Sequence, residues 1–391
     1  METRLLSVGE KELAYPIWSQ AFEHGKKDMS EWRKWEESLE GCDFTVGVWD
    51  EGALQAVTLV VCLDAQFGPY CKVPIGGVGG VACLPAARGR GCARNVIAFA
   101  LKEMRSRGVC VSVLEPFSWS FYQNLGWDWA CLDMRITAQS KVLKTDPETA
   151  FVKPVGQSDW QRVAEVYTKY SYGYRGMIAR SEREWKSMLS DHDGKYTYTY
   201  LYERRGAPEG YVTFQCGKEE KTKIREFLCV TPRARRALLG LLKRMEMQSD
   251  RFEWHAPADD SLWCHLMHWD VEVAIQPRSM MRVVDVPSAL RAWRPVSDAA
   301  GEVTCRITDS LAPWNSGVWS LRYGDGRVDA STVEGAPQVE MNCAAFAQLF
   351  FGVVSVETLA REEVIQVRDA QAIPRLSALF AGPPCWINND F

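Results

Sequence analysis

The chain has 391 residues, which is more than one hydrophobic core usually supports, so two or three domains are expected. A formal net charge of −4 without a long basic run argues against nucleic-acid binding. No apolar run approaches the ~18 residues that a membrane-spanning helix needs. The N-terminal residues mix charges and lack the apolar segment of a signal peptide, which predicts a cytoplasmic protein.

The first third of the chain alternates helix-like and strand-like patterns. Residues 10–24 and 29–39 are predicted helices, the second with Ser30 as its N-cap. Residues 43–64 are a predicted β-hairpin that turns at Gly52. The elements predicted next are a glycine-rich strand (73–84) stopped by Pro85, a helix with one apolar face (93–108), a buried strand (109–117) and a short helix leading into a turn (118–130).

A second copy of this order follows. Residues 196–216 are again a hairpin, and residues 224–245 again give a strand, a proline, arginines and a helix. The two copies align Pro85 with Pro232, Arg88 with Arg235 and Gly91 with Leu238. The architecture is kept and the glycine is lost, which indicates an internal duplication with one functional copy.

The pattern changes after residues 280–293. A hairpin (317–331), a buried helix (341–352) and a closing segment (372–391) predict a third domain of α+β type. The predicted fold class is therefore α/β and α+β. The predicted domains are residues 1–146, 147–284 and 285–391.

Residues 83–99, CLPAARGRGCARNVIAF, place three arginines and two glycines between a strand and a helix. Residues 77–82 also fit the GxGxxA dinucleotide fingerprint, but in that motif a helix starts inside the glycine run, whereas here a strand continues. A second interpretation is structural, with glycines that turn the chain and arginines that face solvent. In the third, the junction binds a diphosphate, since Gly91 allows close backbone approach and the helix N-terminus adds unpaired amides. The arginines would supply counter-charge.

The R-x-x-G-x-A pattern of Arg88, Gly91 and Ala93 resembles the coenzyme A signature of the GNAT N-acetyltransferase superfamily. The degenerate second unit, the C-terminal domain similar to sterol-carrier folds and the aromatic last residue extend the resemblance to the Eis-like acetyltransferases over essentially the whole chain. The resemblance implies two tandem GNAT-like mixed-sheet units and a sterol-carrier-like α+β domain. It also implies an acetyl-CoA-dependent N-acetyltransferase without a metal.

The resemblance assigns roles around the acetyl donor. Tyr122 would be the general acid, and the α-carboxylate of Phe391 would be the base. The backbone from Val81 to Cys83 would meet the pantetheine arm and the thioester carbonyl. The residues that would bind acetyl-CoA are Val81, Ala82, Cys83, Arg88, Gly89, Arg90, Gly91, Cys92, Ala93, Arg94, Phe117 and Ser118. An alternative interpretation is that Tyr122, which lies beside Phe121 and near Trp127 in the sequence, is simply an aromatic residue of the core.

The acceptor amine needs acidic and aromatic walls, because it is mostly an ammonium at neutral pH. At the position where the family builds its acceptor pocket, residues 21–35 supply both kinds of side chain. The candidates are Phe22, Glu23, Asp28, Trp32, Trp35 and, at the tail, Asp390. Equally, these helices could expose their charges and bury their tryptophans. An aminoglycoside-like compound, a polyamine and the lysine of a peptide all remain open as acceptors.

The last ten residues, GPPCWINNDF, are apolar and contain two prolines, so we expect the tail to dock rather than fray. Burial of the terminal carboxylate against aromatic rings would raise its pKa and make it a better base.

Thirteen cysteines occur without a Cys-x-x-Cys pair, so thiols are expected rather than disulfides or metal ligands. His255, Cys264, His265 and His268 lie close in sequence, and His265 and His268 could share a helix face with a metal. The spacing matches no strong zinc pattern. We expect a packed, hydrogen-bonded cluster and no metal.

Two alternatives to catalysis remain. The apolar helix CAAFAQLFFGVVSV could line the cavity of a lipid or sterol carrier, although it is equally a core helix. The second alternative is a coenzyme-A-binding protein that has lost catalysis, but the retention of Tyr122 and of the coenzyme A signature argues against it. The resemblance also implies a symmetric homo-oligomer, commonly a hexamer.

Overall fold

The computed structural model describes residues 1–39, 41, 43–191, 195–215, 221–295, 298 and 300–389. Contacts divide the chain into two compact units. Unit 1 combines Met1–Ala130 with the residues from Ser279 onwards, and unit 2 is Cys131–Arg278. Unit 1 is therefore built from both ends of the chain.

The N-terminal part of unit 1 follows the predicted order of elements. Its strands are β1 (Glu2–Leu5), β2 (Asp43–Asp50), β3 (Ala53–Phe67), β4 (Lys72–Cys83), β5 (Val111–Leu114) and β6 (Asp128–Trp129). Its helices are α1 (Tyr15–Phe22), α2 (Ser30–Ser38), α3 (Cys92–Ser106) and α4 (Trp119–Gln123).

Two local predictions in this part need correction. The helix expected over 10–24 is divided, with a 3-10 turn at Val8–Leu13 and α1 after it. Ser30 is the first residue of α2 and not its N-cap. The Ser30 N–H instead donates to Asp28 Oδ1 at 3.0 Å, so an aspartate two residues earlier satisfies one of the unpaired amides of this helix.

Unit 2 has the elements of the second copy. Its strands are β7 (Leu132–Gln139), β8 (Val152–Val155), β9 (Arg175–Ile178), β10 (Thr197–Arg204), β11 (Ala207–Gln215), β12 (Lys221–Cys229), β13 (Arg251–Pro257) and β14 (Val271–Pro277). Its helices are α5 (Trp160–Ser171), α6 (Glu182–Met188) and α7 (Pro232–Arg244).

The remaining elements belong to unit 1. The strands are β15 (Met280–Val283), β16 (Gly301–Thr308), β17 (Gly317–Gly324), β18 (Arg327–Thr332), β19 (Val339–Asn342) and β20 (Gln366–Val367). The helices are α8 (Val286–Ala292), α9 (Cys343–Phe350), α10 (Val356–Arg361) and α11 (Ala372–Phe380). The hairpin and the buried helix predicted in this region are both present.

The first sheet runs in the order β1-β2-β3-β4-β5-β15-β6. Its strands are antiparallel except for β4 and β5, which are joined by α3 and pair in parallel only over Ile75–Gly77 and Val111–Val113. Beyond Gly77, β4 continues to Cys83 without β5 beside it. The two strands therefore separate and leave an opening between them.

Helix α3 packs on this sheet through the predicted apolar face, whose residues are buried: Val96, Ile97, Ala100, Leu101 and Met104. A Cβ at Gly76 would lie 2.3 Å from Met104 Sδ, so a glycine on β4 is what lets the helix approach. Burial of such side chains stabilises the fold by about 1.5–3 kcal/mol each.

The second sheet runs in the order β14-β7-β13-β12-β11-β10-β8. Again one pair is parallel, β12 with β13, and it too covers only three residues before the strands separate. The predicted duplication of architecture is thus confirmed. The domain boundaries at residues 146 and 284 stay predictions. The chain passes from the first sheet to the second near residue 131, because β7 pairs with β13 and β14. It returns to the first sheet near residue 279, because β15 pairs with β5 and β6.

The third sheet runs in the order β18-β17-β16-β19-β20. All residues of helix α9 except Ala344 are buried, and Phe350 packs against Phe67, Trp293 and Phe380. Its apolar residues are therefore used in a packed core. Within the described residues, no helix is both long and apolar enough to cross a membrane.

Candidate active site

The bend at residues 88–91, which we call the phosphate bend, joins a 3-10 turn at Pro85–Ala87 to α3. Gly89 and Gly91 have φ values of +76° and +80°. A Cβ at either position would meet nothing within 4 Å, so the left-handed backbone, not a lack of space, requires glycine here. The bend is consequently open on its outer side.

Helix α3 begins at Cys92 with Gly91 as its N-cap, and no side chain caps its amides. The first N–H groups of a helix have no partner within the helix, and the helix dipole makes this end positive. This 15-residue helix thus directs uncapped amides toward the open bend. Such an end is suited to an anion.

The three arginines of the bend differ in their partners. Arg90 forms an ion pair with Asp50, with Nη2 2.5 Å from Oδ2, and the contact lowers the pKa of that carboxyl group. Arg88 and Arg94 are exposed and form no ion pair with any residue that the structure describes. Two of the three arginines are therefore available to a bound anion, and Arg90 is held toward the β2–β3 turn.

The end of β4 contains a β-bulge that the sequence did not predict. Val57 pairs with Ala82 and Leu59 with Gly79, so the single residue Thr58 lies opposite two residues of β4, Gly80 and Val81. Val81 is part of the bulge, and Ala82 and Cys83 follow it, where β5 no longer pairs with β4. The backbone that we assigned to the pantetheine arm thus runs directly into the phosphate bend.

Tyr122 lies on α4, which follows β5. The residue is only 3% exposed, and its ring contacts those of Phe117, Phe121 and Trp127. Its hydroxyl forms no hydrogen bond with any residue in the described part of the chain, and burial raises its pKa above the ordinary value. Phe117 is 70% exposed, and Ser118 precedes α4 without capping it.

The turn after α4 is fixed by a buried ion pair that the sequence gave no reason to expect. Arg282, on β15, donates to the carbonyl oxygen of Leu125 and pairs with Asp309, both charges being fully buried. Its guanidinium also lies 5.0 Å from the ring centre of Trp127. A Cβ at Gly126 would lie 2.2 Å from Arg282 Nη1. The segment that carries Tyr122 is thereby anchored to the C-terminal part of unit 1.

The aromatic candidates for the acceptor wall come together. Trp32 stacks on Phe22 at 6.1 Å and meets Trp35 edge-on at 6.0 Å. Glu23 is exposed beside them in sequence. Asp28 accepts the hydrogen bond from the Ser30 N–H at the start of α2. This hydrogen bond lowers the pKa of Asp28 and orients its carboxylate.

The tail docks as predicted as far as the structure describes it. Cys385, Trp386 and Ile387 are buried, and Cys385 Sγ lies 3.7 Å from Met281 Sδ. Met281 pairs with Val113 on β5, the strand that leads to α4. Asp390 and Phe391, the two tail residues given roles above, lie outside the described residues.

The equivalent region of unit 2 differs in detail. Helix α7 begins directly at Pro232 with Thr231 as a side-chain cap, so there is no bend before it. The alignment of Arg235 with Arg88 is therefore wrong in structural terms. Arg235 lies within the helix and pairs with Asp260, and Arg233 pairs with Glu209.

The separating strands of unit 2 are also bridged by side chains. The rings of Phe227 on β12 and Trp254 on β13 lie 5.8 Å apart, and Leu238 is fully buried in the same core. An opening between strands is therefore combined with a glycine bend and available arginines in unit 1, and this combination does not occur among the described residues of unit 2.

His255, His265 and His268 do not form one hydrogen-bonded group among the described residues. His255 Nδ1 is hydrogen-bonded to Asp133, whereas His268 lies beside Asp270, and Cys264 is exposed. Burial lowers the pKa of His265. Among the described residues, no three His, Cys, Asp or Glu side chains are arranged to hold a metal ion.

Comparisons with known proteins bear on all three parts of the chain. Residues 2–130 and 176–283 each match a family described as an acetyltransferase (GNAT) domain, and residues 286–388 match a sterol carrier protein domain. The chain is 25% identical to an uncharacterized N-acetyltransferase of Streptomyces avermitilis, over 100% of this chain and 99% of that protein. It is 23% identical to N-acetyltransferase Eis of Mycobacterium tuberculosis, over 79% and 78% of the two chains.

A solved structure shares the fold over the full length of both chains. It is a GCN5-related N-acetyltransferase from Anabaena variabilis, with a TM-score of 0.87 and 20% sequence identity. The similarity covers 100% of this chain and 100% of that one.

Proposed function

We infer that this chain, which belongs to the Eis-like tandem GNAT N-acetyltransferases, is an acyltransferase that uses unit 1 to acetylate amines of cationic small molecules. The donor is acetyl-CoA, with Tyr122 as the acid and the α-carboxylate of Phe391 as the base. The phosphate bend carries the proposal, because it combines an uncapped helix N-terminus with two arginines that have no acidic partner among the described residues.

Donor binding divides between charge and backbone. Arg88, Arg94 and the first amides of α3 would hold the diphosphate, since charge-assisted hydrogen bonds to phosphate are short and strong. The backbone of Val81, Ala82 and Cys83 would line the pantetheine arm. Acetyl-CoA supplies the activated acetyl thioester; the other groups in the reaction belong to the protein and the acceptor.

Tyr122 would donate a proton or a hydrogen bond to the departing sulfur. Because burial raises its pKa, the phenol remains protonated throughout the physiological range and is always present as a donor. A thiol of ordinary pKa, about 8.5, is more acidic than this phenol. Because the phenol is the weaker acid, a hydrogen bond from Tyr122 to the forming thiolate would supply most of the stabilisation, and any proton transfer would follow cleavage of the C–S bond.

The acceptor must lose protons before and during attack, because an alkylammonium has a pKa of about 10. Phe391 is four residues beyond the buried Ile387, a span of at most about 14 Å of extended chain. The described part of the tail is docked against β15, next to β5, and this supports a role for the terminal carboxylate on the same side of the sheet as the donor strands.

Aromatic faces would form much of the acceptor wall. Phe22, Trp32 and Trp35 present rings that can attract a cation, and Glu23 would add charge. Asp28 is held at the start of α2, and Asp390 would complete the acidic lining from the tail.

The test is thiol release from acetyl-CoA in the presence of aminoglycosides, polyamines and lysine peptides. We expect turnover with at least one amine, and the order of kcat/KM values to identify the acceptor class. A double variant, Arg88→Ala with Arg94→Ala, should lose donor binding while Arg306→Ala, an exposed arginine of the C-terminal sheet, should keep it. Equal donor binding in both variants would refute the assignment of the phosphate bend.

A further inference from the structure

Side chains hold two carbonyl groups at the β-bulge in β4, one on the residue before it and one within it. Thr58 Oγ1 donates to the carbonyl oxygen of Gly79 at 3.1 Å. The indole Nε1 of Trp18, on α1, donates to the carbonyl oxygen of Gly80 at 2.7 Å. Gly80 has a φ of +58°, a conformation that an ordinary residue rarely adopts.

Trp18 fits against Gly80 closely. The indole is fully buried, and a Cβ at Gly80 would lie 2.7 Å from its Nε1. On its other side, Trp18 stacks on Trp32 at 5.2 Å with the rings 19° from parallel. One side chain therefore separates the aromatic acceptor wall from the donor strand.

A planar trans peptide fixes the consequence of this hydrogen bond. The carbonyl of Gly80 and the N–H of Val81 belong to one peptide unit and point in opposite directions. With the Gly80 oxygen held toward Trp18, the Val81 N–H must point away from the indole. We propose that Trp18 is a positioning residue that aims the Val81 N–H at the thioester oxygen of the donor, where negative charge develops during attack.

This proposal rests on the proposed function and deepens it. Packing alone does not account for the contact, because the fold buries other indoles without providing them with an acceptor. The Nε1 atoms of Trp49 and Trp127 are buried and have no hydrogen-bond partner among the described residues. Trp49 packs against the same core cluster as Trp18, which makes it a matched control.

The experiment compares Trp18→Phe with Trp49→Phe. Each variant keeps an aromatic ring in the same core, but only the first removes a donor to the bulge. For Trp18→Phe we expect kcat to fall about tenfold, less than the ~10²–10³ lost when such a donor is removed outright. KM for the acceptor should be retained.

Binding of coenzyme A without its acetyl group separates positioning from structural damage. This probe has no thioester carbonyl, so its Kd should change by less than about twofold in Trp18→Phe. A kcat equal to that of Trp49→Phe would overturn the proposal, and so would a loss of coenzyme A binding that matches the loss of kcat. A wild-type protein that neither binds coenzyme A nor releases thiol would instead overturn the proposed function.

A second variant keeps the proposal testable if Trp18→Phe does not fold. Gly80→Ala leaves the indole intact but places a methyl group against its Nε1, at a backbone conformation unfavourable for alanine. We expect the same fall in kcat with coenzyme A binding retained. Normal turnover in Gly80→Ala would show that the bulge carbonyl need not be held by Trp18.

Discussion

Replacement of Tyr122 by phenylalanine isolates one oxygen atom in the proposed mechanism. The ring contacts with Phe117, Phe121 and Trp127, at 5.0 to 6.5 Å between centres, are available to phenylalanine as well. The hydroxyl has no hydrogen-bond partner in the described part of the chain. Its removal therefore leaves no protein group unsatisfied, and the free energy of unfolding should fall by less than the ~0.5–1.5 kcal/mol that a lost hydrogen bond costs.

The effect on catalysis should be much larger. Loss of a general acid lowers kcat by ~10²–10⁴, which corresponds to about 2.7–5.4 kcal/mol in the barrier. The kcat is measured from thiol release in a stopped-flow or steady-state assay. Calorimetric titration measures the Kd for coenzyme A, which should not change. The matched control is Tyr323→Phe, since Tyr323 is another buried tyrosine of unit 1 and lies in the C-terminal sheet.

The pH profile adds an independent check. Since burial raises the pKa of Tyr122, the phenol stays protonated as pH rises through 10, so no alkaline loss of rate should come from it in that range. The rate of the wild-type enzyme should instead rise as the acceptor ammonium loses its proton. A near-normal kcat in Tyr122→Phe would refute the reasoning. So would a wild-type rate that already declines with rising pH well below pH 10, if Tyr122→Phe abolished that decline.

Four further substitutions and an extension of the chain test the rest of the site. Arg88→Ala or Arg94→Ala should each raise the Kd for acetyl-CoA about 10–100-fold, the value of a charge-assisted hydrogen bond. Arg90→Ala should raise that Kd much less, because the arginine is already held in an exposed ion pair with Asp50. Titration with acetyl-CoA at two salt concentrations distinguishes the variants, and equal losses of affinity would contradict the assignment. Gly91→Ala should lower the free energy of unfolding by about 1–2 kcal/mol in urea, because alanine is strained at a φ of +80°, and an unchanged midpoint would show that the bend can relax. Extension of the chain beyond Phe391 should lower kcat without changing Tm, while unchanged turnover in the extended protein would exclude the carboxylate as the base.

Local features of the site could be predicted from the sequence, and distant partners could not. Glycine at the phosphate bend is required by backbone conformation, and the apolar face of α3 follows from its period, so both were visible in the pattern. Asp50 is separated from Arg90 by 40 residues, and only the sheet brings them together. The contact of Trp18 with Gly80 could not be predicted either, since nothing in the sequence around Trp18 indicates the bulge at Gly80.

The errors have the same origin. Ser30 and Asp28 are both good capping residues, and only the chain direction at the start of α2 decides between them. Pro232 and Pro85 occur in similar contexts, but one is the first residue of a helix and the other lies in a turn before a bend. Assignments to Asp390 and Phe391 stay predictions, as they lie beyond the described part of the tail.

The anchoring of Arg282 by Asp309 sets the order in which a newly made chain can become active. Strand β6 pairs with β15, and β15 also supplies the arginine that holds the turn after Tyr122. During synthesis, the turn after Tyr122 cannot acquire these contacts until residues 280–309 have left the ribosome. A fragment released before that point contains the phosphate bend and Tyr122 but lacks the arginine and the strand that hold this turn.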